Sequence, residues 1–151
     1  TDCLLQAGAV RVYAVDTGYG TLDWNLRNDE RVVVMERTNA LHVELPEAVE
    51  VVTSDVAWTR QRLIVPAALK LLKPGGTLFS LFKPQYEAPR KLLRKGKLLE
   101  EHFETVLQAT LAELAGSGLE PVRVIRLPRT ARDKNLEAFF VLGPPSMPEG
   151  K

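Results

Sequence analysis

The chain has 151 residues, 45% of them hydrophobic, and a formal net charge of +1, values that fit a soluble globular protein of single-domain size. No apolar run approaches the ~20 residues of a membrane-spanning helix, and no basic segment followed by an apolar core marks a secretory leader. Cys3 is the only cysteine, which excludes a disulfide within the chain and favours a cytoplasmic protein.

The first predicted element is a short helix over residues 1–7, which Gly8 ends. In a Rossmann unit such a helix follows a first strand and a glycine-rich turn, whose backbone amides approach the ligand. Neither precedes this helix in the sequence. We therefore expect a fragment that lacks the first strand of its sheet.

Two short apolar runs then end in polar residues. Val12–Val15 is followed by Asp16 and a glycine-rich turn that includes Gly18, and residues 31–35 lead to Asn39. The carboxyl ends of parallel strands form the ligand-binding rim of open α/β sheets, where an acid can accept hydrogen bonds from ribose hydroxyls. An equally acceptable interpretation is local, with Asp16 capping the turn and Asn39 closing a loop.

A third strand is predicted over residues 50–56, with Asp55 at its carboxyl end. An apolar helical pattern follows over residues 58–72, and Pro66 should bend this helix or mark its true start. Residues 73–76, Lys-Pro-Gly-Gly, are expected to end the helix.

The next strand, residues 77–82, places Lys83 at its carboxyl end. A lysine whose pKa is lowered can remove the proton of a substrate hydroxyl or direct the lone pair of its oxygen at an electrophile. Asp55, one strand away, could orient the ammonium or the attacking oxygen. The alternative is that Lys83 ends the strand and pairs with Glu87.

The remainder of the chain is predicted to hold one helix and two strands. The helix covers residues 98–115, and the strands, residues 122–127 and 136–142, fit an antiparallel hairpin. His42 and His102 are isolated in sequence, which makes a metal site improbable. Residues 144–151, with three prolines in the tail, are expected to be disordered.

Two basic segments lie in the second half of the chain. Their members are Lys83, Arg90, Lys91, Arg94, Lys95 and Lys97 in the first, and Arg123, Arg126, Arg129, Arg132 and Lys134 in the second. They suit contacts with RNA phosphates, or they form a solvated helix face and a loop. The alternation of strands and helices predicts an α/β doubly wound sheet with helices on both faces.

Residues 15–29 and 31–40, Val-Asp-Thr-Gly-Tyr-Gly-Thr-Leu-Asp-Trp-Asn-Leu-Arg-Asn-Asp and Arg-Val-Val-Val-Met-Glu-Arg-Thr-Asn-Ala, closely resemble the FtsJ-like RNA methyltransferases of the TlyA type, also called haemolysin A. The resemblance continues, with departures, to Gly143. It implies a Rossmann-like domain, residues 1–143, that binds S-adenosylmethionine and methylates ribose 2′-hydroxyls of ribosomal RNA. It also implies cofactor contacts from Asp16, Gly18, Tyr19, Asn39 and Asp55.

The resemblance further implies a catalytic Lys-Asp-Lys-Glu tetrad, whose last three members match Asp55, Lys83 and Glu137. Its first lysine would lie upstream of Thr1, so we expect the fragment alone to be nearly inactive. The chain departs from the family pattern most between residues 87 and 101, where we expect a mobile, substrate-facing segment. Three other functions stay open: a non-catalytic RNA-binding or ribosome-assembly factor with the same fold, a nicotinamide dehydrogenase, and membrane lysis, which no cationic amphipathic segment supports.

Overall fold

The computed structural model describes residues 1–128 and 135–143. The chain divides into two compact units, Thr1–Glu47 and Ala48–Lys151. Arg129, Arg132 and Lys134 of the second basic segment, and the tail over residues 144–151, lie outside the described residues.

The first unit contains two short helices and a pair of parallel strands. Its elements are α1 (Asp2–Gln6), β1 (Val12–Val15), α2 (Trp24–Arg27) and β2 (Val32–Met35). Strands β1 and β2 pair in register from Val12↔Val32 to Val15↔Met35. Gly8, at φ +95°, follows α1, so a residue without a Cβ ends the helix as predicted.

The second unit contains the larger sheet. Its elements are β3 (Val49–Ser54), α3 (Gln61–Leu69), β4 (Leu72–Phe82), α4 (Pro84–Glu87), β5 (Leu93–Arg94), β6 (Lys97–Leu98), α5 (Phe103–Gly116), β7 (Arg123–Arg126) and β8 (Ala138–Leu142). The strand order is β3-β4-β8-β7, with β3 parallel to β4, and β8 antiparallel to both β4 and β7. The predicted carboxyl-terminal hairpin is thus confirmed, within bounds slightly shorter than expected.

The core of this unit lies between β4, β8, α3 and α5. Leu78, Phe82, Leu107 and Phe140 are completely buried, and the rings of Phe82 and Phe140 stack with centroids 5.1 Å apart. Full burial of one such side chain contributes ~1.5–3 kcal/mol, so these residues fix β4 against β8. The register of these two strands positions the residues that follow Phe82.

Three sequence predictions about this unit are wrong. Helix α3 covers Gln61–Leu69 rather than residues 58–72, and Pro66 lies inside it, which excludes the start of the helix as one of the two roles predicted for this proline. Residues 73–76 belong to β4, where they form the irregular segment between the pairs Val49↔Leu72 and Val51↔Thr77. Helix α5 begins at Phe103 rather than at residue 98, after a hairpin formed by β5 and β6.

No helix among the described residues is long and apolar enough to cross a membrane; α5, with 14 residues, is the longest of them.

Candidate active site

Lys83 and Asp55 form an ion pair at the carboxyl ends of neighbouring parallel strands. Asp55 follows the last residue of β3, and Lys83 follows the last residue of β4. The distance from Lys83 Nζ to Asp55 Oδ1 is 2.5 Å. The side chain of Lys83 is 19% exposed and that of Asp55 is 68% exposed, so the carboxylate reaches solvent while the ammonium is largely covered. The pair can therefore contact a ligand that approaches this edge of the sheet.

Glu87 does not take the alternative role of partner to Lys83. One of its carboxylate oxygens, Oε1, accepts a hydrogen bond of 2.6 Å from the backbone N–H of Gln61, at the start of α3. Burial is the main cause that raises the pKa of Glu87 above its ordinary value. This carboxylate links α4, which follows Lys83, to the helix that follows the Asp55 loop.

The side chain of Gln61 extends this connection to β4. Gln61 Nε2 donates to the carbonyl oxygen of Leu81 at 2.9 Å, and Gln61 Oε1 accepts from the Ser80 hydroxyl at 2.7 Å. Gln61 and Ser80 are 2% and 0% exposed, and buried polar groups require such partners. Neither residue was predicted from the sequence. The available signal was Gln61, a polar residue at the start of a helix that is apolar from Leu63 onward.

Glu137 lies at the same end of the sheet as Lys83. Ala138 pairs with Phe82 in the antiparallel register of β4 and β8. Glu137, the residue before Ala138, therefore lies on the same side of this pair as Lys83, the residue after Phe82. The backbone carbonyl of Glu137 accepts a hydrogen bond of 3.0 Å from Leu127 N–H, and the residue is half-buried. The fold thus brings Asp55, Lys83 and Glu137 to the same end of the larger sheet.

The first unit presents the other predicted residues at the carboxyl ends of β1 and β2. Asp16 Oδ1 accepts a 2.6 Å hydrogen bond from Gly18 N–H, and Asn39 Oδ1 accepts one of 2.9 Å from Leu41 N–H. Both side chains therefore make the local contacts of the alternative interpretation, although both residues are exposed. Thr38 N–H donates to the carbonyl oxygen of Asp16 at 3.0 Å, which ties the two strand ends together.

Gly18 allows a compact turn beside Asp16. A Cβ at this position would lie 2.9 Å from Thr21 Cγ2 and 3.0 Å from Asp16 Oδ1. A larger residue would therefore displace the carboxylate. The turn keeps an acidic side chain in a fixed, exposed position, and a carboxylate is the acceptor that a ribose with two hydroxyls requires.

Two residues that were not predicted from the sequence, Glu36 and Arg37, support this rim. Glu36 accepts hydrogen bonds from Gly20 N–H, at 2.8 Å, and from the Arg27 guanidinium. The guanidinium carbon of Arg37 lies 4.6 Å from the ring centroid of Tyr19, whose exposed fraction is 71%. Tyr19 thus offers an aromatic surface next to Asp16.

Trp58 is a second exposed aromatic residue, located three positions after Asp55. It is 87% exposed, has φ +62°, and its ring centroid lies 5.1 Å from that of Tyr86. The predicted helix would have included Trp58 in regular structure, whereas the residue belongs to the loop before α3. Within the described part of the chain, no group of three or more His, Cys, Asp or Glu side chains is disposed to hold a metal ion.

Parallel strands followed by an antiparallel carboxyl-terminal hairpin, with helices between the strands, are typical of Rossmann-like methyltransferases. The sequence model of the FtsJ-like methyltransferase family matches residues 1–143. The chain belongs to that family, and the fold class predicted from its sequence is confirmed.

Two curated relatives and one solved structure are similar over much of the chain. "Putative rRNA methyltransferase YqxC" of Bacillus subtilis is 41% identical over 149 residues, which cover 94% of this chain and 53% of the relative. "16S/23S rRNA (cytidine-2′-O)-methyltransferase TlyA" of Mycobacterium tuberculosis is 38% identical over 105 residues, 67% of this chain and 39% of the relative.

The structure of "Putative hemolysin from Streptococcus thermophilus" superimposes with a TM-score of 0.84 at 34% identity, covering 94% of this chain and 54% of that one. The chain spans about half the length of the curated relative YqxC.

Proposed function

We propose that this chain carries the catalytic part of an S-adenosylmethionine-dependent methyltransferase that acts on a ribose 2′-hydroxyl of ribosomal RNA. The observation that carries the proposal is the ion pair between Lys83 and Asp55 at the carboxyl ends of β3 and β4. The family supplies the reaction class, and the name of the relative TlyA supplies the 2′-hydroxyl and the ribosomal substrate for that relative.

At the target nucleotide, Lys83 and Asp55 act on the hydroxyl that becomes the nucleophile. The hydroxyl must lose its proton as its oxygen forms the new bond to carbon. Asp55, with its exposed carboxylate, accepts the hydroxyl's hydrogen bond and holds its lone pair in line. The proton passes either to Lys83 Nζ in its neutral amine form, or to the Asp55 carboxylate while the Lys83 ammonium stabilises the charge that develops on the oxygen. Glu137, which lies at the same end of the sheet as Lys83, contributes a second carboxylate to this group.

S-adenosylmethionine, when bound, supplies an electrophilic methyl group on a sulfonium. In the proposal, Asp16 accepts hydrogen bonds from its ribose hydroxyls, and the Gly18 backbone and the Tyr19 ring lie against the ribose and the adenine. Asn39 lies near the adenine. The tight turn at Gly18, which has no space for a Cβ, supports this assignment.

The decisive test is Lys83→Ala in the complete gene product. Methyl transfer from labelled S-adenosylmethionine to ribosomal subunits should fall by at least ~100-fold, because general acid–base groups contribute about that much, while cofactor binding measured by calorimetry should persist. Alkaline hydrolysis of RNA requires a free 2′-hydroxyl. Resistance of the phosphodiester that follows the labelled nucleotide therefore reports methylation of the ribose rather than of the base.

Lys73→Ala is the matched control. Lys73 forms an ion pair of 2.5 Å with Glu50 on the same two strands, far along β4 from Lys83, and its loss should leave transfer unchanged. Undiminished transfer in the Lys83 variant would remove this residue from the mechanism. Retained RNA binding by the unmodified protein, without affinity for S-adenosylmethionine, would instead identify a non-catalytic RNA-binding factor.

A further inference from the structure

A cavity of about 260 Å³ lies in the second unit, next to the position of Lys83. Pro84, the residue after Lys83, lines it, together with residues from the hairpin β5–β6 and from the start of α5. No step of the proposed reaction uses this cavity. Because Pro84 follows Lys83 directly, the cavity borders the segment of chain that carries the proposed catalytic lysine.

The hairpin that forms one wall is held in place. Lys95 and Gly96, at φ 49° and 76°, form its two-residue turn, a conformation whose twist suits paired strands. Leu98 N–H donates a 3.0 Å hydrogen bond to Asn135 Oδ1, which joins the hairpin to the segment that leads into β8. The wall is therefore a defined surface rather than an irregular loop.

The cavity combines an apolar interior with a charged edge that is net positive. Leu98, Leu99, Phe103 and Leu136 provide the apolar surface, and the edge holds two cations, Arg94 and Lys97, and one carboxylate, Glu100. An apolar slot next to exposed cations is complementary to one nucleotide, whose base is flat and weakly solvated and whose phosphate is anionic. The volume is below the ~300–1,000 Å³ of drug-sized sites, so it suits one base rather than a larger ligand.

We propose that this cavity binds one unpaired nucleotide of the RNA substrate next to the methylated nucleotide, with the base against Leu99 and the phosphate against Arg94 and Lys97. The inference rests on the proposed function, because it takes RNA to be the substrate. It makes the hairpin a specificity-determining element, since a base that fits the cavity would fix which ribose reaches Lys83.

The test measures binding of fluorescent, short single-stranded RNAs to the complete gene product. Each of the four homopolymers is compared with an abasic chain of the same length. At least one homopolymer should bind roughly ten-fold tighter than the abasic chain, as expected for one stacked base. Leu99→Asn, which replaces the apolar contact with a polar amide of similar size, should remove this difference and leave the dependence on salt unchanged.

Arg94→Ala with Lys97→Ala tests the cationic edge at two exposed positions, where a folding defect is not expected. This variant should weaken binding of base-bearing and abasic chains alike and reduce the slope of log affinity against log salt by roughly 0.7, since the two cations contact one phosphate and each single-strand phosphate contact contributes about 0.7. Lys70→Ala with Lys73→Ala removes the same charge outside the cavity and should change neither quantity.

Equal affinity of the unmodified protein for base-bearing and abasic RNA would overturn the inference, as would a base-dependent difference that survives Leu99→Asn. Competition with RNA binding by a nucleoside monophosphate at the same concentration as the RNA would identify the cavity as a small-molecule site and would also overturn the inference. These outcomes are separable from the proposed function, because loss of methyl transfer in Lys83→Ala does not depend on this cavity.

Discussion

Glu87 and Glu104 are two carboxylates whose pKa values the fold shifts in opposite directions. Burial raises the pKa of Glu87 above 4.5, and the bidentate contact with Arg126, at 2.9 Å for both oxygens, lowers the pKa of Glu104 below 4.5. A raised pKa means that the folded chain holds the proton more tightly than the unfolded chain does. That contribution to folding is fully present below the ordinary pKa and is lost as the pH rises through the folded-state pKa.

Glu87→Gln should therefore become more stable relative to the unmodified chain as the pH rises from below 4.5 to neutrality. The glutamine cannot ionise, yet its amide oxygen can still accept the hydrogen bond from Gln61 N–H. Urea unfolding at a series of pH values measures the difference in free energy of unfolding.

Glu104→Gln is the matched comparison, with the opposite sign. The lowered pKa of Glu104 adds stability above 4.5 that is lost as the pH falls through the folded-state pKa. The Glu104→Gln variant should thus lose stability relative to the unmodified chain as the pH rises. If the two differences change with pH in the same direction, burial of Glu87 is not the cause of its shift.

At the scale of elements, the sequence predicted the strands that end in an abrupt change from apolar to polar residues. The ends of β1, β2 and β4 were placed correctly for this reason, and with the last of them the position of Lys83, whereas β3 ends at Ser54, two residues before its predicted end. The start of β4 was misplaced because Pro74, Gly75 and Gly76 match a helix stop. The strand conformation of that region depends on pairing with β3 on both sides of a register shift. Pairing between residues that are distant in the chain leaves no signal in the local sequence.

The contacts around Gln61 and the hairpin β5–β6 could not be predicted for similar reasons. Gln61 bonds to residues 19 to 26 positions away, so only the folded chain brings them together. Each strand of the hairpin has two residues, too few to show an alternating pattern. Its turn is Lys95-Gly96 rather than the Asn-Gly or Asp-Gly that signals such a hairpin.

Gly96→Ala should destabilise the chain by ~1–2 kcal/mol, the cost of a Cβ in the left-handed region. No atom lies within 4 Å of the position that a Cβ would occupy at Gly96, so the cost arises from its φ of +76° alone. Thermal unfolding of the chain measures the effect. Gly116→Ala, at the last residue of α5 where φ is not positive and the space is equally open, should be neutral or raise stability by up to ~1 kcal/mol. Equal effects of the two substitutions would exclude backbone strain as the cause.

At the scale of the whole chain, the main hydrophobic core belongs to the second unit. The buried cluster extends from Val65 to Leu142, and residues 78–80 of β4 pair with β3 on one side and with β8 on the other. The first unit has a two-stranded sheet. Among the described residues of this unit, the buried hydrophobic ones are Leu5 in α1 and Val12 in β1. A two-stranded sheet is marginally stable by itself, whereas a paired central strand opens only with its whole sheet.

Amide hydrogen exchange of the chain should therefore be slowest in β4 and β8 and at least ~10-fold faster in β1 and β2, because opening free energies range from near zero up to the global value. Mass spectrometry of exchanged peptides resolves these segments. A ligand that binds only the folded rim at Asp16 should slow exchange in β1 and β2 by mass action, so S-adenosylmethionine is expected to reduce the difference between the units. Exchange in β1 and β2 as slow as in β4 without ligand would show that the two units unfold together, and that the small sheet gains its stability from outside its own pair of strands.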